Sequence, residues 1–239
     1  MNLNPTLDAE ALHDRYAASG RISIPKILVE EDAKALRKAI EKEPHKNLVF
    51  FANGKHFDID AAGWRDLDDE KQRTTQQIIH AEAQKSFSYC YENIPVYDRW
   101  KAGRELSPKL KAAVEFLNSE PFLAFVRKVT GFDDIAFADA QATLYGPGHF
   151  LTLHNDAVEG KNRRAAFVLN LTRAWREDWG GYLNFFDEDG HIEGAFMPAF
   201  NTLNMFSVPA AHSVGFVSPF AGEVRVSVTG WLRAGVEEG

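Results

Sequence analysis

The sequence predicts a mainly β protein, a sandwich or barrel flanked by helices, and two observations carry this prediction. From Ile135 onward, strand-like segments recur about every eight to twelve residues, separated by the turn sequences YGPG, DEDG and SPFAG. Before that point, helical patterns alternate with short extended segments. Apolar-faced helices need a sheet to cover, so we expect a β core at 135–233 and mostly helical support at 1–134, forming one domain over residues 1–239.

Apolar spacing and end signals place the elements of the first half. Ser107 and Pro108 supply an N-cap and a first-turn proline, and Gly131 ends the helix that Pro121 opens. Asn53-Gly54 predicts a hairpin, because a type I′ turn needs positive φ at both central residues. The predicted helices cover residues 8–19, 31–43, 66–85, 108–117 and 121–130.

Composition excludes several classes of protein. The net charge of −7 argues against nucleic-acid binding and favours a basic or neutral substrate. The basic run at 161–164 is interpreted as a solvated loop. The single cysteine, Cys90, excludes a cysteine-based zinc cluster, and we expect it to be a buried thiol. No window is apolar enough to predict a membrane span or a secretory signal, so a cytoplasmic protein is expected, with no membrane partner.

A His-x-Asp pair predicts a metal site. In a strand over 151–156, His154 and Asp156 would project from the same face. His212, in a later apolar stretch, can supply a third ligand. Two histidines and one carboxylate form the facial triad of non-haem Fe(II) enzymes, although the same set also suits zinc.

Two alternatives to this ligand set remain open at the level of sequence. His56 and Asp58 form a second His-x-Asp pair, directly after the predicted hairpin turn, but no comparable downstream motifs accompany it. His191 is an alternative third ligand, but it follows Asp189-Gly190 and is expected to lie at a hairpin tip in solvent.

The last strand, 223–231, predicts an anion site. Alternation places Val224, Val226 and Val228 on one face, and Arg225, Ser227, Thr229 and Trp231 on the other. An arginine buried in a barrel needs an anionic partner. Arg225 can hold a carboxylate through two hydrogen bonds, with Ser227 adding a hydroxyl donor. The alternative is an internal salt bridge to an acidic side chain.

Taken together, these motifs resemble a known family. Tyr145-Gly146, His154-x-Asp156, RAAFVLNLTRAW, Gly180-Gly181-Tyr182-Leu183, His212-Ser213-Val214 and Arg225-Val-Ser-Val-Thr-Gly-Trp231 are similar to the prolyl hydroxylase branch of the Fe(II)- and 2-oxoglutarate-dependent dioxygenases. The run FNTLNMFSVPAAHSVGFVS resembles the ribosomal-protein prolyl hydroxylases and their bacterial relatives. Asn184 and Val168 depart from the family, in which arginine and tyrosine are common at these positions.

The resemblance implies a double-stranded β-helix, with His154, Asp156 and His212 binding Fe(II) and Arg225 anchoring 2-oxoglutarate, assisted by Tyr145 and Ser227. It also implies O₂ as cosubstrate, ascorbate as a candidate stimulant, and hydroxylation of a prolyl residue in a protein with release of succinate and CO₂. The translation machinery is one source of such a substrate.

Three other functions remain open. They are a hydroxylase of free proline or another small metabolite, a non-catalytic barrel used for binding or sensing, and a zinc hydrolase. For the entrance of the site, we expect an aromatic wall formed by Tyr89, Tyr91 and Trp100, with core packing as the alternative role of these rings.

Overall fold

The computed structural model describes residues 1–235 of the chain. Seven α-helices cover Ala9–Ala17 (α1), Glu30–Lys42 (α2), Ala61–Arg65 (α3), Asp69–Ala83 (α4), Val96–Lys101 (α5), Pro108–Leu117 (α6) and Glu120–Thr130 (α7). Twelve strands cover Arg21–Pro25 (β1), Asn47–Ala52 (β2), Lys55–Asp60 (β3), Tyr89–Ile94 (β4), Ile135–Tyr145 (β5), Phe150–His154 (β6), Arg163–Asn170 (β7), Leu183–Phe186 (β8), Ile192–Phe196 (β9), Thr202–Ser207 (β10), His212–Val214 (β11) and Arg225–Ala234 (β12).

All strands join one antiparallel sheet that curls into a nearly closed barrel. The main path of the sheet runs β1-β10-β7-β12-β5-β4-β6-β11-β8-β9, and β2 and β3 extend it beside β4. β4 is the link between the two walls of the barrel, because it pairs with β5 through Glu92–Ile94 and with β6 through Tyr89 and Cys90. The mainly β prediction is therefore confirmed.

The helices cover the outer face of the larger wall. Alternation along β7 turns Phe167 and Leu169 outward, and β12 adds Val226 and Val228 to the same layer. These side chains pack against the apolar faces of α2, α6 and α7, where residues such as Leu36 are fully buried. The opposite face of the same strands is left to line the barrel interior.

The first half contributes more of the sheet than expected. β1 pairs with β10, and β4 lies inside the main sheet, so the β core extends beyond residues 135–233. The Asn53-Gly54 hairpin prediction is confirmed, since β2 pairs with β3 and both turn residues have positive φ (52° and 69°).

Local end signals account for the helix boundaries. The Asp8 carboxylate accepts backbone N–H groups at the start of α1, and Asp68 does the same for α4. α7 ends at Gly131, whose φ of 75° is accessible to glycine at little cost. Within residues 1–235, no helix has both the length and the apolar character that a bilayer crossing requires.

Cys90 gives a direct test of the packing of β4. Burial raises the pKa of its thiol to about 12, and the charge of Glu92 acts in the same direction. Because the thiolate is the nucleophile, we expect the native chain to react with a thiol reagent at mildly alkaline pH at least about tenfold more slowly than the unfolded chain. Mass spectrometry of the labelled protein measures this, since Cys90 is the only cysteine in the sequence. Equal rates in the native and denatured chains would contradict the placement of β4.

Candidate active site

Two antiparallel strands bring two histidines together. His154 is the last residue of β6, His212 is the first residue of β11, and the two are paired across the ladder. Their ring centroids are 4.0 Å apart. Asp156 completes the group, with 3.5 Å between its Oδ1 and the Nε2 of His154 and 3.4 Å between its Oδ2 and the Nε2 of His212. The potential ligand atoms all lie within 4.8 Å of one another, so they can bind a single ion.

The position of Asp156 corrects the expected strand. β6 ends at His154, and Asp156 has a φ of 61°, so its carboxylate reaches the histidines from a loop rather than by strand alternation. Aspartate is one of the few residues that adopt this left-handed conformation readily. The Nη1 of Arg163 donates a hydrogen bond to the carbonyl oxygen of Asp156 at 2.9 Å, which supports this turn.

Hydrogen bonds to the backbone orient both imidazoles. The Nδ1 of His154 is 2.9 Å from the carbonyl oxygen of Thr152, and the Nδ1 of His212 is 2.8 Å from that of Ala210. A carbonyl oxygen can only accept, so each Nδ1 carries the proton and each Nε2 keeps its lone pair for an ion. The hydrogen-bond partners that orient histidine ligands in metal sites are thus present.

The charge states also suit a cation. Burial lowers the pKa of His212 to about 4, and the nearby His154 acts in the same direction, so His212 is neutral at neutral pH. Burial alone would raise the pKa of Asp156, but the adjacent imidazoles of His154 and His212 outweigh it and lower the pKa. Two imidazoles and one carboxylate are the donor set that Fe(II) takes in facial-triad sites.

Arg225 lies in the same cavity as the triad and lacks a partner. The cavity has a volume of about 460 Å³, and Arg225 is only 3% exposed. Its Nε has no hydrogen-bond acceptor, and no carboxylate among residues 1–235 forms an ion pair with it. Burial lowers its pKa, while the Tyr145 ring lies 5.0 Å from the guanidinium carbon. The alternative of an internal salt bridge is therefore not found among the described residues.

Residues with hydroxyl groups line the same cavity as this guanidinium. Tyr145 is paired with Arg225 across the β5–β12 ladder and stacks on Tyr91, with 4.9 Å between the ring centroids. Burial raises the pKa of Tyr145 well above its usual value, so its phenol keeps its proton and can donate. The hydroxyls of Ser227 and Thr143 are 2.9 Å apart and also line the cavity. Together with Arg225, these groups can bind a small anion.

The alternative ligands lie elsewhere. His56 is on β3, and its Nδ1 bonds to the hydroxyl of Tyr89 at 2.7 Å, while Asp58 faces a separate cleft. His191 is exposed in the β8–β9 turn, where its backbone N–H donates to Asp187. Neither histidine approaches the triad.

Arg163 belongs to the basic run predicted to be a solvated loop, but its side chain lines the cavity. Its guanidinium carbon lies 3.5 Å from the ring centroid of Trp231, and both residues line the cavity. The β7–β12 ladder skips Arg164 between Arg233 and Leu232, so this irregularity changes which side chain faces inward. Trp231 lies on the predicted face of β12, where it lines the cavity.

Two of the three rings expected in the aromatic wall line the cavity. Tyr89 and Tyr91 line the cavity, and Phe87 joins them at its edge. Trp100 instead packs against Tyr97 at a centroid distance of 5.8 Å, beside the helical core. It lies on α5, so it follows a helix face rather than the barrel wall. Of the two departures from the family pattern, Val168 lines the cavity and Asn184 bonds to Ser213.

The segment that carries this arrangement is similar to a known protein family. Residues 140–233 match the family model described as the 2OG-Fe(II) oxygenase superfamily. Over this segment the chain is similar to that superfamily. The segment contains all three residues of the candidate triad and Arg225.

One curated relative of the chain is a prolyl 3-hydroxylase. The chain is 34% identical over 128 residues to mouse (Mus musculus) prolyl 3-hydroxylase OGFOD1, a match that covers 51% of this chain and 23% of the relative. The chain thus matches less than a quarter of the length of that protein.

Solved structures share the fold. A prolyl-4-hydroxylase from Pseudomonas putida has a TM-score of 0.57 and 20% identity, over 96% of this chain and 100% of the other. A prolyl hydroxylase from Trichoplax adhaerens, in complex with a hypoxia inducible factor peptide fragment, has a TM-score of 0.56 and 13% identity, over 95% and 89% of the two chains. The predicted double-stranded β-helix is confirmed by this likeness.

The triad predicts how metal affinity responds to substitution. His154→Ala, Asp156→Ala and His212→Ala should each weaken Mn(II) binding by at least about 100-fold, since loss of a mere ligand-orienting partner already costs about 10–100-fold. The matched control is His56→Ala, which alters the competing His-x-Asp pair and should leave the affinity unchanged. Calorimetric titration of each variant measures the effect. Equal losses in the His56 and His154 variants would contradict the assignment.

Proposed function

We propose that the chain is an Fe(II)- and 2-oxoglutarate-dependent dioxygenase that hydroxylates a prolyl residue of a protein substrate. The observation that carries the proposal is the buried Arg225, which lacks an internal partner and shares one cavity with a facial triad. The function of a zinc hydrolase or of a non-catalytic binding barrel does not require an anion that would pair with this guanidinium. A dicarboxylate cosubstrate supplies the missing anion.

The iron site would be formed by His154, Asp156 and His212. Three protein ligands leave three positions of an octahedral ion for cosubstrate and oxygen. With iron, O₂ and 2-oxoglutarate bound, the chemistry supplied is oxidative decarboxylation to succinate and CO₂, coupled to insertion of one oxygen atom into a C–H bond. The residues themselves orient the ligands and shield them from water.

The cosubstrate would be held by Arg225, with Tyr145 and Ser227 assisting. A guanidinium can bind a carboxylate through two parallel hydrogen bonds, and the neighbouring hydroxyls can donate to the remaining lone pairs. Because Arg225 is almost fully buried, this interaction takes place in a setting of low dielectric constant, where charged hydrogen bonds are strong.

The substrate side would be formed by Tyr89, Tyr91, Arg163 and Trp231. The aromatic rings suit the apolar face of a proline ring, and Arg163 can donate to a peptide carbonyl. The similarity to mouse prolyl 3-hydroxylase supports prolyl hydroxylation, and the peptide complex of the Trichoplax protein supports a polypeptide substrate. Such a substrate from the translation machinery, stimulation by ascorbate and a cytoplasmic location stay predictions.

We also infer that the chain acts as one domain. β1 and β4 from the first half are hydrogen-bonded into the sheet of the second half, and one apolar core joins the helices to both. The helical support and the site-bearing strands should therefore unfold together.

Arg225 tests cosubstrate binding. Arg225→Lys keeps the charge but loses the two-pronged geometry, so the KM for 2-oxoglutarate should rise about 10- to 100-fold, the range expected for loss of a charged hydrogen bond. The control is Arg164→Lys, because Arg164 pairs with Asp134 at the surface and should not affect KM. Succinate release with Fe(II) in air is the measurement. An unchanged KM would disprove the anchor, and absence of any 2-oxoglutarate turnover in the parent protein would disprove the proposed activity.

The substrate class has its own test. After incubation of the parent protein with a cell lysate, Fe(II) and 2-oxoglutarate, we expect proline-containing peptides to gain the mass of one oxygen atom. The His212→Ala variant serves as the control and should produce no such peptides, since it lacks a metal ligand. Products found only among free amino acids would favour a metabolite hydroxylase instead.

A further inference from the structure

A second, polar cavity adjoins the candidate active site. This polar cleft has a volume of about 650 Å³ and is bounded by the β2–β3 hairpin, β4, α5 and the adjoining parts of β5 and β12. Tyr91, Gln141 and Trp231 line both the polar cleft and the cavity of the candidate triad, so the two cavities have a common wall. A ligand that occupies both would place one part at the metal and another part in the polar cleft.

The wall of the polar cleft carries an unsatisfied acceptor. Asn93 on β4 is 9% exposed, and its Nδ2 donates to the Oε1 of Gln141 at 2.7 Å. The Nε2 of Gln141 in turn donates to the hydroxyl of Tyr91 at 3.4 Å. This chain of bonds fixes the orientation of the Asn93 amide and leaves its Oδ1 buried without a donor. A ligand that donates an N–H group would satisfy it, whereas a carboxylate or phosphate would not.

The charges of the polar cleft favour a cation. Arg99 is already bound to Glu43 and to the carbonyl oxygen of His45, and Asp139 is bound to Arg233. Two further carboxylates line the cleft without an ion pair among residues 1–235, Asp58 from the hairpin and Asp98 from α5.

Arg104 is the opposing charge, since it lines the same cleft and forms no ion pair within residues 1–235. Two unpaired acids against one unpaired base leave an excess of negative charge, and the net charge of −7 for the whole chain has the same sign. A cationic side chain is therefore attracted to the polar cleft.

We propose that the polar cleft binds the segment of the substrate polypeptide that flanks the hydroxylated residue, and that this segment carries a lysine or arginine. The inference rests on the proposed function, because it assumes a polypeptide at the metal. Asn93 binds a backbone N–H of the segment, and Asp58 and Asp98 bind its cationic side chain. The polar cleft thereby selects among proline-containing sequences.

The test compares two labelled proline peptides that are identical except for lysine or glutamate at the flanking positions. Their binding to the full chain with Mn(II) is measured by fluorescence anisotropy, without turnover. The lysine peptide should bind about 3- to 30-fold more tightly, the range expected for two exposed ion pairs, and added salt should reduce the difference. Asp58→Asn/Asp98→Asn should abolish the preference. Asn93→Ala should weaken both peptides alike.

The matched control is Glu188→Gln/Asp189→Asn, which removes the same charge from the exposed β8–β9 turn and should keep the preference. The inference is overturned if the parent protein binds both peptides equally or neither of them, if it prefers glutamate, or if the two double variants behave alike. Succinate release is measured separately. A chain that turns over 2-oxoglutarate without a lysine preference refutes only the polar cleft, and one with the preference but no turnover refutes the proposed function.

Discussion

The antiparallel pairing of β12 with both β5 and β7 is the constraint on which the rest of the structure depends. One face of β12 supplies Val226 and Val228 to the helical core, and the other supplies Arg225, Ser227 and Trp231 to the cavity. A shift of one residue would exchange these faces, burying the guanidinium against the helices. The tight fit of β12 on β5 is visible at Gly230, where an added Cβ would lie 1.9 Å from the carbonyl oxygen of Asp139. The register that stabilises the core is thus the register that builds the site.

The second wall of the barrel works under a similar constraint. β6 and β11 are short, yet their pairing sets His154 against His212, and the carbonyl oxygens of Thr152 and Ala210 fix both rings. The candidate ligands are therefore positioned by backbone geometry. In such an arrangement the side chains lose their conformational entropy when the chain folds and not when the ion binds. This preorganisation favours tight and selective metal binding.

The sequence was informative where a residue type and its spacing carry the chemistry. His154, Asp156, His212 and Arg225 are all proposed on this basis, because each lies on or beside a strand whose alternation can be read, and the structure brings them into one cavity. The route taken by Asp156 was not predicted, since a left-handed φ at one residue leaves no mark on the pattern. Arg163 was missed because it enters the cavity through a ladder irregularity. The polar cleft depends on Asp58, Asn93 and Asp98 from three separate elements, and such contacts between distant segments cannot be read from local periodicity.

The two cavities differ in the kind of hydrogen-bonding group that they leave unsatisfied. These groups are the guanidinium of Arg225 and the side-chain amide oxygen of Asn93. An unpaired buried charge such as Arg225 costs several kcal/mol, and an unsatisfied buried amide such as Asn93 costs about 1–3 kcal/mol. Folded proteins tolerate few such groups, and those that persist are usually tied to function. The needs of the two groups are opposite, since Arg225 requires an acceptor and Asn93 requires a donor. An acidic cosubstrate would therefore bind in the cavity that contains Arg225 and the candidate metal ligands. A polypeptide, which offers N–H donors, would extend into the polar cleft.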